Sequence, residues 1–192
     1  MTDFIISGRC IATPPPADWS AHLAQMLGAK PRRIGTWAEL GLYGAMRCME
    51  DAGEIVLPPD AQIWMGSRRG TYAATDTVIE QLREDLPMPL AFLQTQPSQV
   101  LAMLSARLGW KGHACFLSGA DMQDLLRLAS AQATQGGLLL GVVDEMEGGS
   151  SHWVRLQCEH SSVEGFVPAA AAQICADGIS YLRVSPTGIQ IR

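Results

Sequence analysis

Residues 92–121 constrain the fold of this chain more than any other part of the sequence. The stretch starts as a loop, and apolar residues at helical spacing then predict an amphipathic helix, at Val100, Leu101, Leu104 and Leu108. A glycine break ends at Gly112, and the apolar run at 115–117 is typical of a strand. A turn at Gly119 opens the next helix. A helix, a strand and a helix in direct succession favour a layered α/β fold.

Strand and helix patterns alternate along the rest of the chain. The predicted strands lie at 4–12, 62–66, 138–143, 179–184 and 188–192, and the last two form a terminal hairpin. The predicted helices have one apolar face; they lie at 36–51, after the turn that ends at Gly70, and at 121–134. Residues 152–158 also alternate and predict an extra strand within a loop. This order predicts helices packed on a sheet, in a single domain over residues 1–192.

Two of the predicted helices carry specific expectations. Thr36 is followed three residues later by Glu39, which is the spacing of a capping box, so Thr36 is the predicted N-cap. The helix after Gly70 is expected to bury its apolar face, which is formed by Thr75, Val78, Ile79, Leu82 and Leu86. The turn before this helix contains Gly66 and Gly70, and such a glycine pair also occurs in phosphate-binding loops. No Lys-Ser or Lys-Thr follows here, so a purely structural turn is preferred.

Composition and charge exclude several functional classes. The 192 residues are 47% hydrophobic and carry a net charge of -5, with Lys and Arg scattered, so no basic stripe is available for nucleic acid. No apolar run approaches the ~20 residues of a membrane span. The first nine residues lack the basic and apolar regions of a signal peptide. We therefore expect a soluble cytoplasmic protein without a membrane span.

Cysteine and histidine spacing predicts neither a metal site nor a redox motif. The five cysteines are an odd number and include no Cys-x-x-Cys pair, so we interpret them as reduced, mostly buried thiols. His152 and His160 lie eight residues apart, but no cysteine or carboxylate at metal-ligand spacing accompanies them. No metal and no cofactor are expected.

The stretch at 92–121 resembles the centre of the N-terminal half of the β-ketoacyl synthases, which have the thiolase fold, and in particular the short chain-length factors. Alignment without gaps from Phe92 places Gly112 at the family's glycine before the central strand, and Ala120 at its alanine before the nucleophile. The nucleophilic cysteine is replaced by Asp121. The resemblance implies one half of a thiolase-like fold, with helices packed on a mixed, mostly parallel β-sheet and without the half that carries two catalytic histidines.

The same resemblance implies a non-catalytic subunit that pairs with a full-length ketosynthase and shapes its acyl tunnel. It also implies indirect contact with an acyl carrier protein, in a type II polyketide pathway that makes aryl polyenes. The implied interface and tunnel residues are Phe92, Thr95, Gln96, Gln99, Leu101, Met103, Leu104, Leu108, Cys115 and Phe116. Four arginines form a candidate patch for the acidic carrier protein: Arg32, Arg33, Arg68 and Arg69.

The residues leave alternatives open at the site and for the whole protein. Asp121 is either a helix N-cap, a position that favours Asp, or a placed carboxylate that mimics a malonyl group or serves the partner subunit. A nucleophilic Cys115 is disfavoured, because a thiol within an apolar strand behaves as a small hydrophobe. The alternative function is a homodimeric acyl-binding or scaffolding protein of the same fold. An acyl-transferring enzyme that uses Cys115 ranks last.

Overall fold

Eight strands and six helices make up the part of the chain that the structure, a computed structural model, describes: residues 2–86, 88–159, 165–170 and 173–192. The strands are β1 (Thr2–Ala12), β2 (Gln62–Ser67), β3 (His113–Ser118), β4 (Leu138–Asp144), β5 (Ser150–Glu159), β6 (Val167–Pro168), β7 (Tyr181–Ser185) and β8 (Gly188–Ile191). The helices are α1 (Trp19–Leu27), α2 (Thr36–Asp51), α3 (Tyr72–Arg83), α4 (Pro89–Gln94), α5 (Ser98–Arg107) and α6 (Met122–Ser130).

All of these strands form one mixed sheet in the order β3-β2-β4-β5-β1-β7-β8-β6. The mixed sheet was predicted, but its parallel part is confined to β3, β2 and β4, and the other strand pairs are antiparallel. For β4 and β5 the reason is their short connection, in which Gly148 and Gly149 have φ values of 90° and 86°. Such a tight turn can only return the chain antiparallel to the strand it leaves.

Strand β5 corrects the prediction of an extra strand within a loop. It lies inside the main sheet, between β4 and β1, and Trp153, Val154 and Leu156 are fully buried. The Nε1–H of Trp153 donates to Ser151 Oγ at 3.1 Å, and this hydroxyl donates to the Leu40 carbonyl of α2 at 2.8 Å. β5 therefore carries side chains buried on both faces of the sheet and anchors the helix that covers one of them.

Apolar side chains fill both faces of the sheet. One cluster lies beneath α1, α2 and α5, and the other lies beneath α6 and includes side chains of the C-terminal hairpin of β7 and β8. The hairpin was predicted. The sequence patterns predict no helix between β1 and α2, so α1 (Trp19–Leu27) is an addition to the predicted elements.

The helices differ from the predictions in an N-cap, in a C-terminal end and in a segment that was predicted to be a loop. Helix α2 has the predicted bounds, but its N-cap is Gly35 and no side chain caps it, so the capping box of Thr36 and Glu39 is wrong. Helix α6 ends at Ser130 rather than at residue 134. The loop predicted at the beginning of the 92–121 stretch is instead partly helical, because α4 extends to Gln94.

The predicted buried face of α3 is also wrong. None of the residues 72–83 is buried in the described structure, and Ile79, Leu82 and Leu86 have exposed fractions of 42%, 58% and 63%. The main packing partner of α3 is the short helix α4 rather than the sheet. Periodicity correctly identified an apolar face, but of its five residues only Val78 is half-buried and the other four are exposed.

Within the described ranges, no helix is long and apolar enough to cross a membrane. The same residues contain no cluster of three or more His, Cys, Asp or Glu side chains that could hold a metal ion. All five cysteines are free; Cys48 and Cys175 are buried, and the other three are half-buried. His160 lies outside the described residues.

Candidate functional site

Strand β3 is an edge of the sheet. It pairs in parallel with β2 on one side, in register from His113 opposite Gln62 to Ser118 opposite Ser67, and it is the outermost described strand on the other side. An edge strand presents a row of unpaired N–H and C=O groups, which is a template for pairing with another chain. The run at 115–117 is therefore a strand, as predicted, but an open one.

The side chains of β3 are only partly covered. Phe116 packs edge-on against Trp37, with ring centroids 5.8 Å apart, and Cys115 lies half-buried against the cluster on the opposite face. His113 and Ala114 are exposed, and the His113 ring lies 5.5 Å from that of Trp64. The strand thus rests on the core of this chain and leaves one edge and part of each face open.

Helix α5 places its two sides in different environments. Val100, Leu104 and Leu108 are fully or almost fully buried, and a Cβ on Gly41 of α2 would lie 3.3 Å from Val100, so the two helices pack closely. Leu101 and Met103 are half-buried at the rim of the same cluster. Leu104 and Leu108 therefore pack inside this chain, whereas Leu101 and Met103 keep part of their surface accessible.

The connection between α4 and α5 is held by side-chain hydrogen bonds. Thr71 Oγ1 donates to the Thr95 carbonyl at 2.9 Å, and Thr95 Oγ1 donates to the Phe92 carbonyl at 2.7 Å. Gln96 Nε2 donates to Thr95 Oγ1 at 3.1 Å. Thr95, Gln96 and Gln99 are half-buried, and Phe92 is 58% exposed. These bonds tie the start of α3 to the end of α4 and fix the position of the short connection.

We call helices α3 and α4 and the connection between them the α3–α4 arm. Eight large apolar side chains of this arm are exposed to solvent. They are Tyr72, Ile79, Leu82, Leu86, Met88, Leu90, Phe92 and Leu93. Single exposed apolar residues are ordinary, but a concentration on two adjacent helices is typical of a protein–protein contact surface. The arm precedes β3 in the chain through α5, so both belong to one continuous segment.

Asp121 caps α6. Its Oδ1 accepts from the backbone N–H of Gln123 at 2.8 Å and of Asp124 at 3.0 Å, and Asp124 Oδ2 accepts from the Asp121 N–H at 3.2 Å. This reciprocal arrangement is a capping box. The N-cap interpretation is confirmed, and the carboxylate occupies N–H groups that would otherwise be free to stabilise an anion.

A cleft of about 640 Å³ opens beside Asp121, at the carboxyl ends of β2 and β4. Arg68 and Arg69 line it together with His152, whose pKa is lowered by burial and whose Nε2 bonds to Thr13 Oγ1. Asp144 Oδ1 accepts from Ser67 Oγ at 2.9 Å, which holds the arginine-bearing turn in place.

The four predicted arginines are all exposed but do not all line this cleft. Arg32 and Arg33 lie in the segment between α1 and α2, and Arg68 and Arg69 lie in the turn between β2 and α3. The cleft thus brings together only the second pair.

Burial disfavours the thiolates of Cys10, Cys48 and Cys175 most strongly, and it also raises the pKa of Cys158. Burial raises the pKa of Cys10 and of Cys175 to about 11, and it raises the pKa of Cys48 well above its ordinary value. A reactive cysteine needs a low pKa and an exposed, positive environment. These three thiols have neither.

Comparison with known proteins identifies the fold. No family model matches this chain, and no curated protein matches it by sequence. Among solved structures, a chain of the ishigamide ketosynthase/chain length factor superposes with a TM-score of 0.60 at 11% identity; the match covers 82% of this chain and 58% of that one. This chain therefore spans little more than half of that relative's length.

Two further structures match similarly. A chain of the ketosynthase ApeO in complex with its chain length factor ApeC, from Xenorhabdus doucetiae, gives a TM-score of 0.59 at 13% identity and covers 100% of this chain and 98% of that one. A chain of AntDE:AntF, a type II PKS acyl-carrier protein in complex with its ketosynthase, gives 0.59 at 11% identity, with coverages of 88% and 69%. The predicted thiolase-like α/β fold is confirmed.

Proposed function

We propose that this chain is a chain-length-factor-type subunit that pairs with a ketosynthase through β3 and the α3–α4 arm. The observation that carries the proposal is the open edge of β3, which follows in the chain an apolar arm that the described residues leave exposed, in a fold shared with ketosynthase and chain length factor complexes. A second chain that added a strand to β3 would satisfy its unpaired backbone groups.

The two ends of the sheet differ in their capacity to accept another strand. The outermost described strand at the other end, β6, has two residues, one of which is Pro168, and a proline has no N–H to donate. Strand β3 has six residues and no proline. This asymmetry favours β3 as the edge that a partner extends.

The proposed subunit supplies no nucleophile of its own. A condensing enzyme needs a thiolate at a helix N-terminus, where the helix dipole and free N–H groups stabilise it. The corresponding position here is Asp121, whose carboxylate caps α6. We infer that condensation takes place on the ketosynthase partner and that this chain shapes the acyl tunnel.

The tunnel contribution is assigned to accessible residues near the interface. Phe92, Leu101, Met103 and Cys115 are exposed or half-buried, and so they remain available to a partner. The proposed pathway is the type II synthesis of aryl polyenes in the cytoplasm. The acyl carrier protein binds the complex rather than this chain alone. Arg68 and Arg69, which line the cleft beside Asp121, are the preferred candidates for contact with it.

A second candidate is a homodimeric acyl-binding or scaffolding protein. The same open edge and exposed arm support it, because a self-complementary surface can form a twofold dimer. It predicts a well-behaved dimer of the purified chain. The subunit role instead predicts poor solubility without the partner, because the arm stays uncovered.

Co-expression with the ketosynthase encoded nearest to this chain tests the proposal, followed by size-exclusion chromatography and native mass measurement. We expect a stable one-to-one complex. Ala114→Pro, which disrupts the exposed part of β3, is expected to abolish it, and circular dichroism of the variant controls for folding. A soluble homodimer that ignores the ketosynthase would contradict the proposal and favour the second candidate.

A further inference from the structure

Helix α3 has no buried side chain that anchors it to the sheet. None of the residues 72–83 is buried, and α4 is the element with which α3 makes its main contacts. A helix of 12 residues is marginal in water unless packing or caps support it. The bonds at the start of α3 therefore decide how firmly the helix is held.

The N-cap residue of α3 does not cap the helix with its own side chain. This residue is Thr71, which is 6% exposed and makes no side-chain cap bond. Its hydroxyl donates instead to the Thr95 carbonyl, at the end of α4, at 2.9 Å. The hydroxyl thus joins the two ends of the arm to each other, and the first turn of α3 depends on another residue for its cap.

That residue is Glu145, which follows β4 directly. Its Oε1 accepts from the backbone N–H of Ala73, in the first turn of α3, at 2.7 Å. A carboxylate at this place satisfies an N–H that the helix itself leaves unpaired, and it interacts favourably with the positive end of the helix dipole. The cap of α3 is therefore supplied by a residue 72 positions further along the chain.

The neighbouring Asp144 holds the turn that leads into α3. Its Oδ1 accepts from Ser67 Oγ at 2.9 Å and from the Arg69 N–H at 3.4 Å. Ser67 Oγ in turn accepts from the Gly70 N–H at 2.7 Å. Two adjacent carboxylates at the end of β4 therefore hold both the turn and the first turn of the helix that follows it.

The end of β4 is a firm base for these contacts. Val143 is fully buried, and its carbonyl accepts from Trp37 Nε1 of α2 at 3.1 Å. We propose that Asp144 and Glu145 are positioning residues, which tie the α3–α4 arm to this base in the orientation in which the arm binds its partner. The proposal rests on the proposed function and assigns a task to two carboxylates that belong to neither β3 nor the arm. A contact surface that is already held in its bound arrangement loses less conformational entropy on association.

Two double variants of equal net charge separate anchoring from electrostatics. Asp144→Ala, Glu145→Ala removes the acceptors, whereas Asp144→Asn, Glu145→Gln keeps an oxygen acceptor at each position. Hydrogen exchange of the isolated chain compares the amides of α3 with those of β5, which lies inside the sheet. We expect the alanine pair to accelerate exchange in α3 by about tenfold or more and to leave β5 unchanged, because only the arm is released. The amide pair should behave like the parent chain.

The same variants are then measured in the complex with the ketosynthase. The dissociation constant of the alanine pair is expected to rise by about tenfold or more, because the apparent affinity falls with the fraction of molecules in the binding-competent arrangement. The amide pair is expected to bind like the parent chain. If the alanine pair does not fold, Glu145→Ala is compared with Glu145→Gln, and the expected change in both measurements is about threefold or more.

The outcomes separate the two proposals. Unchanged exchange in α3, equal acceleration in α3 and β5, or equal behaviour of the alanine and amide pairs would overturn the positioning role. A dissociation constant that stays the same despite faster exchange in α3 would also overturn it and would leave the subunit role standing. Absence of any complex between the parent chain and the ketosynthase would overturn the subunit role, and the exchange measurement would then decide by itself whether the two carboxylates hold the arm.

Discussion

Asp121 has a structural task that its chemistry explains completely. Its side chain accepts two backbone N–H groups at the start of α6, and its own N–H donates to Asp124. A short side-chain acceptor at an N-cap satisfies donors that the helix itself cannot satisfy. The sequence predicted this residue correctly, because a cap depends on neighbours within three residues of it.

Asp121→Ala is expected to lower the free energy of unfolding by about 1 kcal/mol, because it removes the acceptor for two N–H groups. Asp121→Ser is the matched control and should retain most of the stability, since serine also caps helices. Urea denaturation followed by circular dichroism measures both. Equal stability of the alanine and serine variants would show that the cap contributes nothing.

At the scale of secondary-structure elements, a buried ion pair connects strand β5 to the residues that follow helix α2. Arg155 on β5 is 1% exposed and its Nε donates to Glu54 Oε2 at 3.0 Å, just after the end of α2. Its Nη1 also donates to the Leu156 carbonyl at 2.8 Å, and Gln157 Nε2 donates to Glu54 Oε1 at 2.8 Å. The guanidinium is thus neutralised and hydrogen-bonded inside the protein.

Glu54→Ala is expected to destabilise the chain by about 3 kcal/mol, because it leaves the buried Arg155 cation without its counter-ion. Glu50→Ala removes the exposed pair with Arg47 and should cost about 0.5 kcal/mol or less. Chemical denaturation of the two variants measures the difference. Similar costs for both would mean that Arg155 finds water or another partner when Glu54 is lost.

Element types were easier to predict than element environments. The patterns identified β2, β4 and the terminal hairpin, because alternation and apolar runs are local signals. They misplaced β5 and the apolar face of α3, because position in a sheet and the presence of a covering neighbour are set by residues far along the chain. An apolar stripe on a helix indicates that something covers it, not which molecule does so.

At the scale of the whole molecule, helix α5 lies at the boundary between the buried core and the proposed contact surface. On α5, Leu104 is fully buried in this chain, whereas Met103 is half-buried at the rim and keeps accessible surface towards the proposed partner. Neighbouring residues of one helix are therefore expected to respond differently to the same truncation.

Met103→Ala in the complex with the ketosynthase is expected to lengthen the products, because it enlarges the proposed tunnel. Leu104→Ala should instead destabilise the subunit by about 2–5 kcal/mol and reduce the yield of the complex, because it leaves a cavity in the core. Mass spectrometry of the products and thermal unfolding of each variant distinguish the two effects. An unchanged product distribution for Met103→Ala would remove the gating role.

The sequence by itself determined the features that depend on near neighbours: the α/β alternation, the Asp121 cap and the terminal hairpin. Tertiary structure decided that β3 is an open edge, that β5 lies inside the sheet, and that the apolar face of α3 is left uncovered. The physical reason is range. Caps and periodicity act within a few residues, whereas edges, burial and uncovered faces exist only after distant segments have packed together.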